Sequence, residues 1–241
     1  MSMEGIFFMN KEQMVKRMFS SAAKKYDINN TVLSLGQHHY WKRFTIEQAG
    51  VKNGDCVLDV CSGTADMAIL LTKKVGPSGR VVAADLNPEM LRIGKGKVLE
   101  QGLDGIISCV IGNAESLQFR DNQFNAVTVG FGVRNVTLLE KAFSEMLRVT
   151  KPGGRVVCLE FTQPASPFFR YIYDFYSFTL LPAIGTLISR DQTGIYEYLP
   201  DSIRKFPPAE DLRGLMLRVG FSNVFYNTLS GGIVAVHVGV K

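Results

Sequence analysis

Two hydrophobic rhythms alternate along this chain of 241 residues, and their order predicts its architecture. Compact apolar runs at Cys56–Val60, Arg80–Asp85, Ile106–Ile111, Ala126–Gly130 and Arg155–Glu160 read as strands buried on both faces. Between them, apolar residues recur at helical spacing over Ala65–Lys74, Pro88–Gln101 and Leu138–Val149. Pro88 at a first helical position, Gly79 and Gly102 in connections, and the Lys151-Pro-Gly-Gly154 turn punctuate the series. A last helix over Ala209–Val219 precedes Asn223–Leu229 and Ile233–Val240, which a Ser-Gly-Gly turn should pair antiparallel. Strands alternating with helices predict an α/β fold. The sheet should have seven strands, mostly parallel with an antiparallel last strand, and helices on both faces.

The two remaining regions do not fit the alternation. From Asn10 to about Lys25, Met14, Met18 and Phe19 recur at helical spacing among Lys and Arg, and Trp41–Ala49 reads as a second helix. Residues 1–50 are therefore expected to form a helical cap lying against the main domain, within one domain spanning 1–241. Between Pro164 and Phe206 aromatic residues crowd together, Phe168, Phe169, Tyr171, Tyr173 and Tyr176 among them. Asp174 and Pro182 interrupt that stretch, which falls short of the ~20 apolar residues of a spanning helix. It reads as an aromatic helical insert, either a substrate wall or lid, or ordinary core.

Charge and cysteine change the picture little. The formal charge of +5 comes from 27 basic and 22 acidic residues, mostly interspersed, and the densest cluster, Arg92, Lys95 and Lys97, reads as a solvated helix face. No nucleic-acid partner is expected. Cys56, Cys61, Cys109 and Cys158 are scattered without metal-ligand or C-x-x-C spacing, so reduced thiols and no metal site are expected. The amino terminus lacks the pattern of a secretory signal, which predicts a cytoplasmic protein.

Candidate chemistry sits at the strand ends. An open parallel sheet binds ligands beyond the carboxyl ends of its strands, where the strand order reverses. Asp59 to Asp66 should floor such a site, with Gly63 allowing close approach of a ligand and Ser62 and Thr64 offering hydroxyls. Asp85 ends the next strand about 20 residues on, where a carboxylate accepts ribose hydroxyls. A dinucleotide would want Gly-x-Gly-x-x-Gly, but Gly63 is the one glycine between Asp59 and Ala68. S-adenosylmethionine has a ribose diol and adenine and no phosphate, so it fits better. Asn113-Ala114-Glu115 stands where adenine edges would be read, although a plain surface turn reads equally well.

With these residues in view, the chain resembles the ubiquinone/menaquinone biosynthesis C-methyltransferase family. Tyr26-Asp-Ile-Asn-Asn-Thr-Val-Leu-Ser34 with His38-His-Tyr-Trp41 resembles one family signature, and Arg148-Val-Thr-Lys-Pro-Gly-Gly-Arg-Val-Val-Cys-Leu-Glu160 a second. Phe131-Gly-Val-Arg-Asn135 and Tyr173-Asp-Phe-Tyr-Ser-Phe178 also look like family landmarks. The resemblance implies a Rossmann-like class I methyltransferase that methylates a ring carbon of a polyprenylated quinol. The acceptor would be demethylmenaquinol, 2-methoxy-6-polyprenyl-1,4-benzoquinol, or both, with the first preferred. It points to Thr64, Asp85, Asn113 and Ala114 as cofactor contacts. Gly130 replaces a family Ser, and Ala65 replaces a family Gly, which requires that position 65 need no positive φ.

The reaction this implies needs neither metal nor covalent nucleophile, only alignment and removal of quinol protons. Arg134 and Asn135 would face the methyl, Arg134 stabilising phenolate character and Asn135 orienting the quinol oxygen. Tyr26, Asp27, His38 and Tyr176 are further candidates for closing the site, with Tyr173 beside them; for each, a structural role reads equally well. Expected partners are the polyprenyl quinol, the inner face of the membrane in peripheral contact, and a second copy in a homodimer. Two other readings stay open: a class I methyltransferase for another small molecule, and a cofactor-binding scaffold without catalysis.

Overall fold

The computed structural model describes residues 10–164 and 194–241. Seven strands form one sheet there: β1 (Cys56–Val60), β2 (Arg80–Asp85), β3 (Ile107–Ile111), β4 (Phe124–Gly130), β5 (Thr150–Phe161), β6 (Asn223–Leu229) and β7 (Val234–Val240). They lie in the order β3-β2-β1-β4-β5-β7-β6. The first five run parallel, and β7 is antiparallel to both its neighbours, as the sequence pattern predicts.

Both faces of the sheet are covered, which explains why its strands read as continuous apolar runs. Alternation along each strand sends successive side chains to opposite layers. Leu58, Val60, Val127, Val129 and Val156 pack with Phe143 and Met146 of α6 (Leu139–Val149) and with Leu212 and Met216 of α8 (Ala209–Val219). Val57, Ala126 and Val157 face the other way, onto Trp41 and Ile46 of α3 (Gln37–Gln48), Leu71 and Val75 of α4 (Asp66–Val75), and Val98 of α5 (Pro88–Glu100). Each such Val or Leu, fully withdrawn from water, contributes roughly 1.5–3 kcal/mol before entropy is charged.

The amino-terminal cap is a short helical string, α1 (Lys11–Ala22), a 3-10 turn over Ala23–Lys25, then α2 (Tyr26–Leu33) and α3. Asn10 starts α1 with a capping box to Gln13. Met18 and Ala22 bury against Tyr198 and Leu199 of α7 (Ile195–Lys205). No helix of the described residues is long and apolar enough to cross a membrane.

The structure departs from the periodic reading in three places. Helix α2 has no sequence signal, because Asn29, Asn30 and the β-branched Ile28, Thr31 and Val32 are poor helix formers. Helix α3 starts four residues before Trp41, directly after a left-handed turn at Leu35 and Gly36. Residues 151–154, read as a turn, belong to β5: Gly153 N donates to Lys241 O and Lys241 N to Gly154 O, so the end of β7 holds this segment in the sheet.

Candidate active site

Strands β1 and β4 are neighbours in space but not in sequence, so the chain leaves them toward opposite sides and a crevice opens beyond their carboxyl ends. A cleft with about 820 Å³ of empty space, its open mouth included, lies there. Its floor is built from strand ends: Cys61 and Gly63 after β1, Asp85 and Leu86 at β2, Asn113 and Ala114 after β3, Gly130 and Phe131 at β4. Helix α1 roofs it with Val15, Lys16 and Phe19, and Tyr26 of α2 closes one side.

Asp85 is held for hydrogen bonding. Gly63 N donates to its Oδ2 at 2.8 Å and Asn87 N to its Oδ1 at 2.8 Å. Burial raises its pKa, and the amides of Asn87 and Gly63 act against that rise. A carboxylate has about four acceptor positions, so these two amides leave capacity for a diol. Asn87 in turn caps α5, accepting from Glu89 N and Met90 N, and its Nδ2 donates to Lys16 O and Ser20 Oγ at 3.0 Å. One buried amide therefore ties the end of β2 to the roof. On the far wall Asn113 Oδ1 accepts from Glu115 N at 2.8 Å, which turns the chain at Ala114.

Asp59 and Thr64, expected at the floor, are not among the cleft's lining residues. Asp59 lies below it, accepting from Ser62 Oγ at 2.6 Å and Thr128 Oγ1 at 2.7 Å, and burial pushes its pKa up to about 6. It ties the loop after β1 to β4. Thr64 is turned away, its hydroxyl donating to Asp27 Oδ1 at 2.6 Å. Asp27 also takes Lys97 Nζ at 2.8 Å; Lys97 bonds Asp66, and Asp66 takes Lys42 Nζ at 2.7 Å. Burial acts to raise the Asp66 pKa, but Lys42 and Lys97 together hold it down to about 2. Lys97 is thus a half-buried crosslink between α2, α4 and α5, and only its membership of the basic Arg92, Lys95, Lys97 cluster marked it in the sequence.

Position 65 corrects an expectation. Ala65 sits at φ +64°, the left-handed backbone that glycine adopts without penalty and alanine does not. Room for its methyl comes from Gly94 of α5, where an added Cβ would lie 3.1 Å from Ala65 Cβ. Gly130 has an equally local reason. A Cβ there would stand 2.4 Å from Met67 Sδ, so the sulfur fills the space a serine would need.

Arg134, expected to face the methyl, is buried and not among the lining residues. Its Nη1 is committed to Glu160 Oε1 at 2.8 Å and Phe131 O at 2.6 Å, while Nε is buried without a hydrogen-bond partner among the described residues. The guanidinium lies 5.4 Å from the Phe161 ring centroid. Asn135 does line the cleft, and its Oδ1 accepts from Tyr198 OH at 3.0 Å. Burial raises the pKa of both Tyr26 and Tyr198, and the Arg134 charge opposes that rise at each. Lys11 ties the same loop to the roof, donating to Val136 O at 2.6 Å.

His38 is away from the cleft. It is buried between α2 and α3, its Nε2 3.0 Å from Thr31 Oγ1, and burial followed by the Lys42 charge lowers its pKa to about 4. Tyr173 and Tyr176 lie outside the described residues. Val15, Lys16 and Asn87 join the cleft without having been singled out; Asn87 had a signal, as the residue before Pro88 at a helix start.

The model of the ubiE/COQ5 methyltransferase family matches residues 8–241. The chain belongs to that family. Among curated members, it is 48% identical over 231 residues to the ubiquinone/menaquinone biosynthesis C-methyltransferase UbiE of Legionella pneumophila (strain Paris), covering 96% of this chain and 92% of that one. To the protein of the same name from Pseudomonas paraeruginosa it is also 48% identical, covering 96% and 90%. In fold it resembles a putative S-adenosyl-L-methionine-dependent methyltransferase of Methanococcus maripaludis, with a TM-score of 0.62, 17% identity, and 92% and 93% of the two chains covered. As a ubiE/COQ5 member with this Rossmann-like sheet, the chain is an S-adenosylmethionine-dependent C-methyltransferase. The cleft suits that cofactor on its own geometry: the Asp85 carboxylate lies on the wall at the end of β2, beside Gly63, which carries no side chain.

Proposed function

We propose that the chain methylates a ring carbon of a polyprenylated quinol in menaquinone or ubiquinone biosynthesis, with demethylmenaquinol as the preferred acceptor. The observation that carries this reading is its 48% identity, across 96% of its length, to proteins named for that pathway. Asp85 would take the ribose hydroxyls, Gly63 would lie against the cofactor, and Asn113 with Ala114 would meet adenine. Thr64 acts one step back, through Asp27.

S-adenosylmethionine supplies an electrophilic methyl on a sulfonium. The chain must bring the ring carbon to it, stabilise the oxygen that gains negative charge, and keep water out. Tyr26 and Asn135, both lining the cleft, would meet the ring. Burial raises the Tyr26 pKa further above neutrality, so its hydroxyl would donate to a ring oxygen rather than take its proton. Tyr198 fixes the Asn135 amide through Oδ1, leaving Nδ2 to donate to the same acceptor. Arg134 is a positioning and electrostatic group. Its charge favours an oxyanion near the two tyrosines.

The aromatic stretch around Tyr173 and Tyr176 would receive the first isoprene units, at the cytoplasmic face of a membrane. The test is a methylation assay with purified protein, S-adenosylmethionine and short-chain quinols of both kinds, read by mass spectrometry. Methylation of the demethylnaphthoquinol is the expected result. Methylation of the benzoquinol alone would reassign the acceptor, and methylation of neither would overturn the reading.

A further inference from the structure

Helix α2 has two faces with opposite surroundings. One brings Tyr26 to the cleft, sends Asp27 to Thr64 and Lys97, and buries Asn29. The other presents Ile28, 60% exposed, and Val32, 42% exposed, one helical turn apart. The turn that follows lifts Leu35 to 83% exposure, and Tyr40 at the start of α3 is 55% exposed. Of the nine large apolar side chains this open among the described residues, four belong to this one hairpin. Singly exposed apolar residues are ordinary; a concentration of them marks a contact surface.

The hairpin is also stiff. Gly36 N donates to Thr31 O at 2.7 Å, Ser34 Oγ to Asn30 O at 2.6 Å, and Thr31 Oγ1 meets His38 Nε2 at 3.0 Å. The backbone therefore holds Leu35 outward at φ +50° rather than letting it fold back. On the segments flanking the apolar tip the exposed cations are Lys24, Lys25 and Arg43, while Asp27, whose side chain is 37% exposed, is paired with Lys97. Beyond them Glu47 is paired with Lys74.

We propose that the α2–α3 hairpin is the surface by which this protein docks on an anionic phospholipid bilayer, with Leu35, Val32 and Ile28 entering the headgroup region. Apolar side chains on a rigid turn, with cations on the segments that flank it, match the apolar interior and negative surface of such a membrane. The opposite face of the same helix carries Tyr26, so a docked hairpin sets one wall of the cleft beside the lipid. The inference rests on the reading of a lipid-borne acceptor but is tested without one.

The experiment is flotation of the full chain with vesicles of phosphatidylcholine alone or mixed with phosphatidylglycerol. Binding should require phosphatidylglycerol and weaken with salt. The triple variant Ile28→Ser, Val32→Ser, Leu35→Ser should lower the partition coefficient ten-fold or more, while melting temperature and methylation of a soluble short-chain quinol stay unchanged. Lys24→Glu with Arg43→Glu should remove the preference for anionic lipid. Equal partitioning of wild type and triple variant would overturn the proposal. So would a dimer, seen by light scattering, that the triple variant dissolves without altering vesicle binding; that result gives the surface to a second copy. Vesicle binding without methylation of any quinol would instead fault the proposed function and leave the docking surface standing.

Discussion

The Thr64 hydroxyl donates to Asp27 Oδ1 across 2.6 Å, joining the loop after β1 to the helix that brings Tyr26 to the cleft. Lys97 secures the joint from α5 and shares Asp66 with Lys42 of α3. The geometry of the cleft therefore depends on a chain of charges outside its lining residues.

Lys97→Met should break this chain at its centre. Asp27 and Asp66 would keep their charges and lose a shared cation, costing about 1–2 kcal/mol of stability after allowance for solvent screening at the partly exposed Asp27. S-adenosylmethionine should bind roughly five- to ten-fold more weakly, since the Thr64 loop and α2 would no longer be fixed together. Lys97→Arg should recover most of that affinity. Calorimetric titration measures it, and an unaltered dissociation constant for the methionine variant would sink the argument.

Ala65 and Gly94 form a second coupled pair. Relieving the left-handed alanine by Ala65→Gly should stabilise the fold by about 1 kcal/mol, visible as a higher urea midpoint. Gly94→Ala should destabilise it by roughly 1–3 kcal/mol, because the new methyl meets Ala65 Cβ. In the double variant that contact is gone and the costs should fail to add. Strict additivity would show that the two positions do not share this space.

Acid should weaken the fold through its histidines. Burial lowers both His38 and His237 to about 4, so each stays neutral in the native chain while the unfolded chain protonates near its ordinary value of ~6.5. Stability should be flat above pH ~6.5, fall by up to roughly 3 kcal/mol per histidine as pH drops toward 4, and level off below that. Asp59, pushed up to about 6, takes its proton in the native state first and offsets part of that loss. Ring-proton titration by NMR reads the two histidines directly, and midpoints near 6.5 would remove the prediction.

Much of the cleft's lining was legible from local pattern. The apolar run into Cys61 and Gly63, the acid ending β2 and the Asn113 turn are each set within a few residues, and the structure places Gly63, Asp85, Asn113, Ala114 and Gly130 around one cleft. Thr64 and Asp59 were misjudged because a residue type at a loop does not say which way its side chain turns. Asp27 and Lys97, far apart in sequence, decide that for Thr64, and Ser62 with Thr128 for Asp59. Arg134 was misplaced for the same reason, since its partner Glu160 comes from the neighbouring strand.

By itself the sequence determined the alternation of strands and helices, the direction of the last strand and the family, since hydrophobic period and contiguous signatures are properties of neighbouring residues. Tertiary structure alone decided that α1 roofs the cleft, that α2 is a helix, that Ala65 adopts a glycine's backbone against Gly94, and that Arg134 is buried on Glu160. Each of these rests on contacts between residues distant along the chain, where burial and a fixed partner outweigh local preference.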